Sequence, residues 1–423
     1  MVEPARIRDC ATLVLVIGVL VSAIVLVRIH RLDHPARPDV KPPTAKDALI
    51  AALAPTIHDD QSKATLLAAL RQSIRGLERR EMEKEITWGT RSVRRSDIVH
   101  SLELFASKLE QSELNAEFFS WVQDSFDFAK SSARQVLFTG YFEASLQGSL
   151  TETKEFKYPL YALPDDLVRV PLKQFFPGDL PAGLPDQLIG RVKGTTLVPF
   201  YDRLAIDYQG ALQNRDLELV WTDDPVKLFF LQIQGSGVIQ LPDGKALRVG
   251  YAGKNGHVYR AIGKLLLEKG AIERSKISMQ TIQEYLYQHP EEMQEVFLYN
   301  PSYVFFREVP NGPIGSLGVR LTPYRSIATD HRLFPHGALV YIETEKPVFA
   351  KDGTISTWEK FGRFVLNQDT GGAIRGTARA DLFTGFGPEA EMVAGHMQHK
   401  GSFYFLLAKV AQSSPMSPRS IGE

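Results

Sequence analysis

The sequence predicts a mainly β protein preceded by helices, an α+β class. Three observations carry this. Apolar residues recur every three or four positions across 44–132, as in Leu66, Leu67, Leu70, Ile74 and Leu77, the period of a helix with one buried face. From Val136 the texture changes to short β-like runs punctuated by Gly, Pro and Asp, such as VLFTGYFEA, KYPLYAL and LVRVPL. Only two helical pieces interrupt the remainder, at 259–269 and at 278–299, the second broken near Pro290. Strands so spaced favour small barrels or sandwiches over a parallel α/β sheet.

Taken in chain order, residues 1–10 read as a cytoplasmic N-terminus and 11–27, ATLVLVIGVLVSAIVLV, as a membrane anchor or export signal. That uncharged run lies between Arg8 and Arg28 and would rise about 25 Å as a helix, enough for a thin bilayer. No small-x-small cleavage site stands out after it, which favours a retained anchor. Pro35, Pro38, Pro42 and Pro43 among charged residues make 28–43 a stiff linker. Within the helical region, Phe118, Phe119, Trp121, Val122, Phe126 and Phe128 read as one aromatic helix face in the core. The segment LVWTDDPVKLFFLQIQGSG reads as strand, with FFL its apolar part. ALVYIET, FGRFVLNQD and SFYFLLAKV are the clearest later strands, and 411–423 is a frayed tail.

Composition narrows the function classes. The chain has 423 residues, 44% hydrophobic and 23% charged, with 49 Lys+Arg against 49 Asp+Glu. No net charge draws the whole molecule to nucleic acid, so any binding surface is local. Cys10 is the only cysteine, so no intramolecular disulfide can form.

The chemistry concentrates near the end. In Asp369-Thr-Gly-Gly-Ala-Ile-Arg-Gly376 and Ala380-Asp381-Leu-Phe-Thr-Gly385, two acids sit among glycines and small residues. Glycines permit close approach of a ligand, and apolar neighbours such as Ile374, Leu382 and Phe383 would keep a proton available on an acid. Gln234 and Ser236, in Gln232-Ile-Gln-Gly-Ser-Gly237, offer hydrogen bonds to a polar ligand; a Gly-x-Ser-x-Gly elbow is excluded because glutamine stands at 234. Thr139, Tyr141 and Glu143 alternate on a predicted strand and share a face suited to a sugar, with Glu143 a possible second acid. The segment 250–260 lacks a phosphate-loop signature, and His396-x-x-His399 has no third metal ligand at a telling spacing. No cofactor and no metal are expected.

Seven ordered blocks now carry a family pattern: FTGYFEASLQGS, PLYALP, FFLQIQGSG, VGYAGKNGHVYRAIGKLL, NPSYVFFRE, GSLGVRLTPYRSIATD and QDTGGAIRG(x4)D with GPEA. Over roughly 136–408 the chain resembles the membrane-bound lytic murein transglycosylase A family, and its last part resembles the "three aspartate" (3D) domain. The resemblance implies a double-psi β-barrel with a second β-barrel inserted, and a glycan groove between them. The split domain would comprise 44–158 plus 305–410, with the 3D region about 317–408, and the insert 159–304. It implies cleavage of the β-1,4 bond between N-acetylmuramic acid and N-acetylglucosamine without water, leaving 1,6-anhydro ends. Asp381 would act as acid and then base, Asp330 and Asp369 as supporting acids, and Thr139, Tyr141, Gln234 and Ser236 would line the groove. Partners would be peptidoglycan glycan strands, the membrane through the N-terminal segment, and other cell-wall enzymes, but not nucleic acid.

Two departures stand out. The family's lipid-attachment cysteine is missing after the apolar run, which favours the inner membrane, facing the periplasm, over the outer membrane. Glu391 replaces a glycine after the GPEA block. Two rival readings remain: a hydrolytic β-glycosidase with Asp369 or Glu143 as base, and a non-catalytic peptidoglycan-binding protein.

Overall fold

The computed structural model describes residues 43–176, 184–310, 312–372 and 374–409. The expected anchor, linker and C-terminal tail lie outside the described residues. Among the described residues, no helix is long and apolar enough to cross a membrane.

The N-terminal region is less helical than its sequence period predicts. Helix α1 (Ala45–Ala48) leads into β1 (Leu49–Ala52). Helix α2 (Lys63–Glu78) is followed by the hairpin β2 (Glu85–Trp88) and β3 (Arg91–Arg94), then α3 (Arg95–Glu110), α4 (Ala116–Ser125) and β4 (Phe126–Ser131). The predicted aromatic helix face therefore divides: Phe118, Phe119, Trp121 and Val122 are on α4, whereas Phe126 and Phe128 alternate inward along β4. Side-chain oxygens of Ser62 and Asn115 cap α2 and α4 by accepting from Thr65 N and Phe118 N. These helices cover the sheet, with Phe105 packing against Phe118, Phe126 and Phe364. Two ion pairs fasten the same region: a fully buried one in which Arg325 grips Asp59 at 2.7 and 2.8 Å, and a partly exposed one in which Arg363 grips Asp60 at 2.7 and 2.6 Å.

Strand β5 (Val136–Ser149) is long enough to serve two sheets. Between it and β13 (Val304–Glu308) lie β6 (Tyr158–Tyr161), β7 (Val168–Pro171), β8 (Gln187–Lys193), β9 (Thr196–Pro199), β10 (Glu218–Thr222), α5 (Pro225–Gln234), β11 (Ser236–Gln240), β12 (Ala246–Lys254), α6 (Ile262–Glu268), α7 (Met279–Gln288) and α8 (Met293–Leu298). The outer half of β5 pairs in parallel with β11, which continues through β12 to β13; β7, β8 and β9 form a separate small sheet.

One expectation here is overturned. Residues 225–234 form a helix, not a strand: Asp224 caps it, Pro225 opens it, and Gly235 ends it at φ 79°. The run is apolar on nearly every side, with Val226, Leu228, Phe229, Phe230 and Leu231 all buried, so periodicity carried no helical signal.

The chain returns through β14 (Ser326–Ala328), β15 (Leu339–Phe349), β16 (Ile355–Asp369), β17 (Arg379–Phe386), helix α9 (Pro388–His396) and β18 (Gln398–Ala408). Pairing runs β18–β15–β16–β14–β17–β5, and β5 pairs again with β18, which closes a six-stranded barrel. Both β14–β16 and β17–β5 are parallel. Glu391 is on α9, where its carbonyl accepts from Gln280. That helix presses directly on β5: a Cβ at Gly140 would come 2.5 Å from Ala394 Cα.

Candidate active site

Strand register assembles the site. Asp369 on β16 stands opposite Ala328 on β14, Ala328 opposite Asp381 on β17, and Asp381 opposite Thr139 on β5. Four adjacent strands thus place two acids and a hydroxyl in one row. With strands about 4.8 Å apart, the backbones of Asp369 and Asp381 are separated by roughly 10 Å.

Asp381 is shielded but reachable, its side chain 14% exposed. Leu382, Phe383 and Ile374 are buried around it in sequence, as the apolar context predicted. Thr139 Oγ1 donates to Asp381 Oδ1 at 2.5 Å. Arg379, two residues earlier on the same strand, donates from Nε to Oδ1 at 3.0 Å and from Nη2 to Oδ2 at 3.4 Å; Nη2 also lies 3.3 Å from Thr139 Oγ1. Both carboxylate oxygens therefore meet donors.

Asp369 is in a different state. Its Oδ1 accepts from the amides of Ser316 (2.9 Å) and Thr370 (2.8 Å), and its Oδ2 from Tyr141 Oη (3.0 Å). Burial pushes its carboxyl above the ordinary range, against the opposing pull of those donors. Burial likewise drives the Tyr141 phenol well up, with the charges of Asp369 and Asp381 adding to it. Tyr141 consequently remains a neutral donor that holds Asp369 in place.

Asp330 is fully buried and does not touch Asp381. Arg332 clasps it at 2.9 and 2.7 Å, and Gly376 N donates at 2.9 Å. Burial alone would raise its carboxyl, but the guanidinium and the amide outweigh that and hold it below the usual range. Through Gly376 N, Asp330 ties the chain at 376 to the segment that follows β14.

Gln234 and Ser236 stand farther off. Gln234 Oε1 accepts from Phe142 N at 3.2 Å, tying the end of α5 to β5 just beyond Tyr141. Ser236 is nearly buried at the start of β11 and is opposite Gly250. Glu143 is no spare base: Arg248 Nη1 grips both its oxygens at 2.7 and 2.6 Å. His396 ends α9, bonded to Met392 O, and His399 lies tilted against the ring of Trp358. Among the described residues, no group of three or more His, Cys, Asp or Glu could hold a metal.

Sequence reasoning missed two residues. Arg379 was legible as the i−2 neighbour of Asp381 on one strand face. Tyr259 lies in the loop after β12, and its phenol, raised by burial, is within electrostatic reach of both Arg379 and Asp381. No local pattern announces it.

Residues 137–307 match the MltA specific insert domain and residues 325–407 match the 3D domain. The crystal structure of a membrane-bound lytic murein transglycosylase from Agrobacterium tumefaciens is 33% identical and superposes with a TM-score of 0.68, covering 83% of this chain and 93% of that one. The chain belongs to the MltA family of membrane-bound lytic murein transglycosylases. MltA from Neisseria gonorrhoeae, at 28% identity and a TM-score of 0.65, covers 89% of this chain and 99% of its own. The curated membrane-bound lytic murein transglycosylases A of Vibrio cholerae and Escherichia coli are 33% and 32% identical over 274 residues. Those matches span 64% of this chain and 65% of each of these relatives. Within the MltA family pattern, the acid row and the capped helix α5 fall inside the matched segments.

Proposed function

We propose that this chain is a peptidoglycan lytic transglycosylase that cleaves the β-1,4 bond between N-acetylmuramic acid and N-acetylglucosamine and leaves 1,6-anhydro ends. One observation carries the reading: Asp381 is partly exposed and held by side chains that can move, whereas Asp330 and Glu143 are buried against Arg332 and Arg248 and Asp369 is held by two backbone amides and Tyr141. A hydrolase with paired carboxylates needs a second free group to activate water. Among the described residues, each other acid near Asp381 is already engaged, which supports a reading in which the attacking oxygen belongs to the substrate.

Asp381, protonated in the bound complex, gives its proton to the glycosidic oxygen as the C1–O4 bond breaks. The resulting carboxylate faces an oxocarbenium-like centre and takes the proton from the muramyl 6-hydroxyl, whose oxygen closes on C1. The acid is regenerated and no water enters. Thr139 and Arg379 stabilise the carboxylate that the first transfer creates, because charged donors favour the ionised partner. Tyr141 and Asp369 brace the adjacent strand edge; Gln234 and Ser236 belong to the far wall of the groove. Arg379 and Thr139 occupy both oxygens at rest, so glycan binding must loosen one of them for the acid form.

The cell envelope, periplasmic face, is the proposed location, with 11–27 as an anchor in the inner membrane. Incubation of purified sacculi with the full chain should release fragments lighter by one water than hydrolytic products. Asp381→Asn should release none while still binding glycan. Retained lysis by that variant would refute the assignment.

A further inference from the structure

Asp369 is held by more than its immediate donors. Both amides on its Oδ1 belong to hydroxyl residues, Ser316 (2.9 Å) and Thr370 (2.8 Å), and each hydroxyl meets a histidine. Thr370 Oγ1 lies 3.2 Å from His331 Nδ1, and Ser316 Oγ lies 3.1 Å from His336 Nε2. The two branches differ. Thr370 gives its hydroxyl proton to Thr329 O at 2.9 Å, so toward Asp369 it offers an amide alone. The Ser316 hydroxyl favours the charged form of Asp369 in addition to the Ser316 amide.

The turn carrying Ser316 is seated by other bonds. Gly315 N donates to Val319 O at 2.9 Å and Leu317 N to Gln368 O at 3.1 Å. Arg80, just beyond α2, donates Nη2 to Ser316 O at 3.3 Å and to Leu317 O at 3.1 Å. These bonds leave the exposed Ser316 side chain to half-buried His336. Arg80 and His331 are the charged or titratable groups that face that ring. Burial, then Arg80 and His331, push it down to about 4, against a hydrogen bond to the Gln368 main chain. At neutral pH His336 is therefore an uncharged hydrogen-bonding partner, not a counter-ion for Asp369.

The charge on Asp369 is useful to the chemistry. Asp369 stands in the row with Asp381, and the Tyr141 phenol feels both carboxylates. A negative charge there favours the oxocarbenium-like centre that forms as the glycosidic bond breaks. We infer that Ser316 and His336 are positioning residues for that step: His336 holds the Ser316 hydroxyl toward Asp369, which keeps this carboxylate charged in the row with Asp381. The inference rests on the reaction proposed above and adds to it two residues outside the acid row.

The test reads the pH profile of sacculus digestion by the full chain. Losing the Ser316 hydroxyl raises the Asp369 carboxyl, so its charge is lost at a higher pH and the acid limb moves up. The alkaline limb follows deprotonation of Asp381 and should stay in place. Ser316→Ala should cut the rate about three- to tenfold near about pH 5 and leave it within about twofold near about pH 7.5. His336→Leu should do the same, and the double variant should be no worse than either, because one residue acts through the other. His336→Gln, which keeps a hydrogen-bonding side chain, should recover most of the acid-side rate. Ser316→Ala alone keeps the test decisive if His336→Leu lowers the urea midpoint, since Ser316 is exposed and its turn has other ties. An unmoved acid limb, an even loss at every pH, or additive losses from the two substitutions overturns the inference. Fragments released by the unsubstituted chain read the reaction separately. Anhydro fragments with an unmoved limb sink only this inference; an absence of anhydro fragments sinks the reaction.

Discussion

Two regions of the molecule use the same pair of residue types to opposite ends. At the seam between the N-terminal segment and the barrel, Asp59 and Arg325 are both 0% exposed, and Arg325 also donates to Phe364 O, Ser62 O and Thr65 Oγ1. Every donor and acceptor is matched, so the pair is static. At the row of acids, Asp381 and Arg379 are 14% and 34% exposed and held by fewer bonds. The same chemistry, left incompletely buried, remains open to a ligand. Complete burial marks structure here, and partial exposure marks the site.

The most damaging way to break this comparison is at Asp381 itself. Asp381→Asn should lower lytic activity by about 10²–10⁴-fold with an unchanged unfolding midpoint, because general acid and base assistance is lost together. Breaking the static pair should do the reverse. Asp59→Ala leaves Arg325 buried without its partner and should cost about 3–5 kcal/mol, read as a lower urea midpoint at similar slope. Arg379→Gln comes next, with turnover falling roughly tenfold or more and stability shifting by less than about 1 kcal/mol, as expected of a partly exposed pair.

The smallest effect belongs to Asp330. Its carboxyl is depressed below 3.8 in the folded chain by Arg332 and Gly376, so it stabilises fully above that value and fades as pH falls through the lower folded value. Asp330→Asn should flatten this acid limb in pH-dependent urea melts. The change should stay below about 1 kcal/mol because Arg332 is half exposed. A steep acid limb that survives the substitution would assign it elsewhere, with Asp60, also held low against burial by Arg363 and Lys346, the next acid to test.

Much of the site was legible because its members lie in short, chemically distinctive blocks. Thr139, Tyr141, Asp369 and Asp381 were all named from sequence, and the structure brings these four together. What stayed hidden was non-local. The row exists only through the register of four strands, in which β17 pairs in parallel with β5 across 242 residues. Arg379 was legible as a same-face neighbour of Asp381, but its approach to Thr139 comes only from register. Asp330 looked like a neighbour of Asp381 but is engaged by Arg332. In the fold, α5 was hidden by its own burial, although Asp224-Pro225 and Gly235 were visible start and stop signals. Strands β1 and β4 were masked by apolar residues that continue the rhythm of the adjoining helices.

The account turns on the origin of the oxygen that closes on C1. Digesting sacculi with the full chain in heavy-oxygen water, and weighing the fragments, tests that directly. The account predicts anhydro-ended fragments with no heavy oxygen at the new end; reducing ends that carry the label would contradict it.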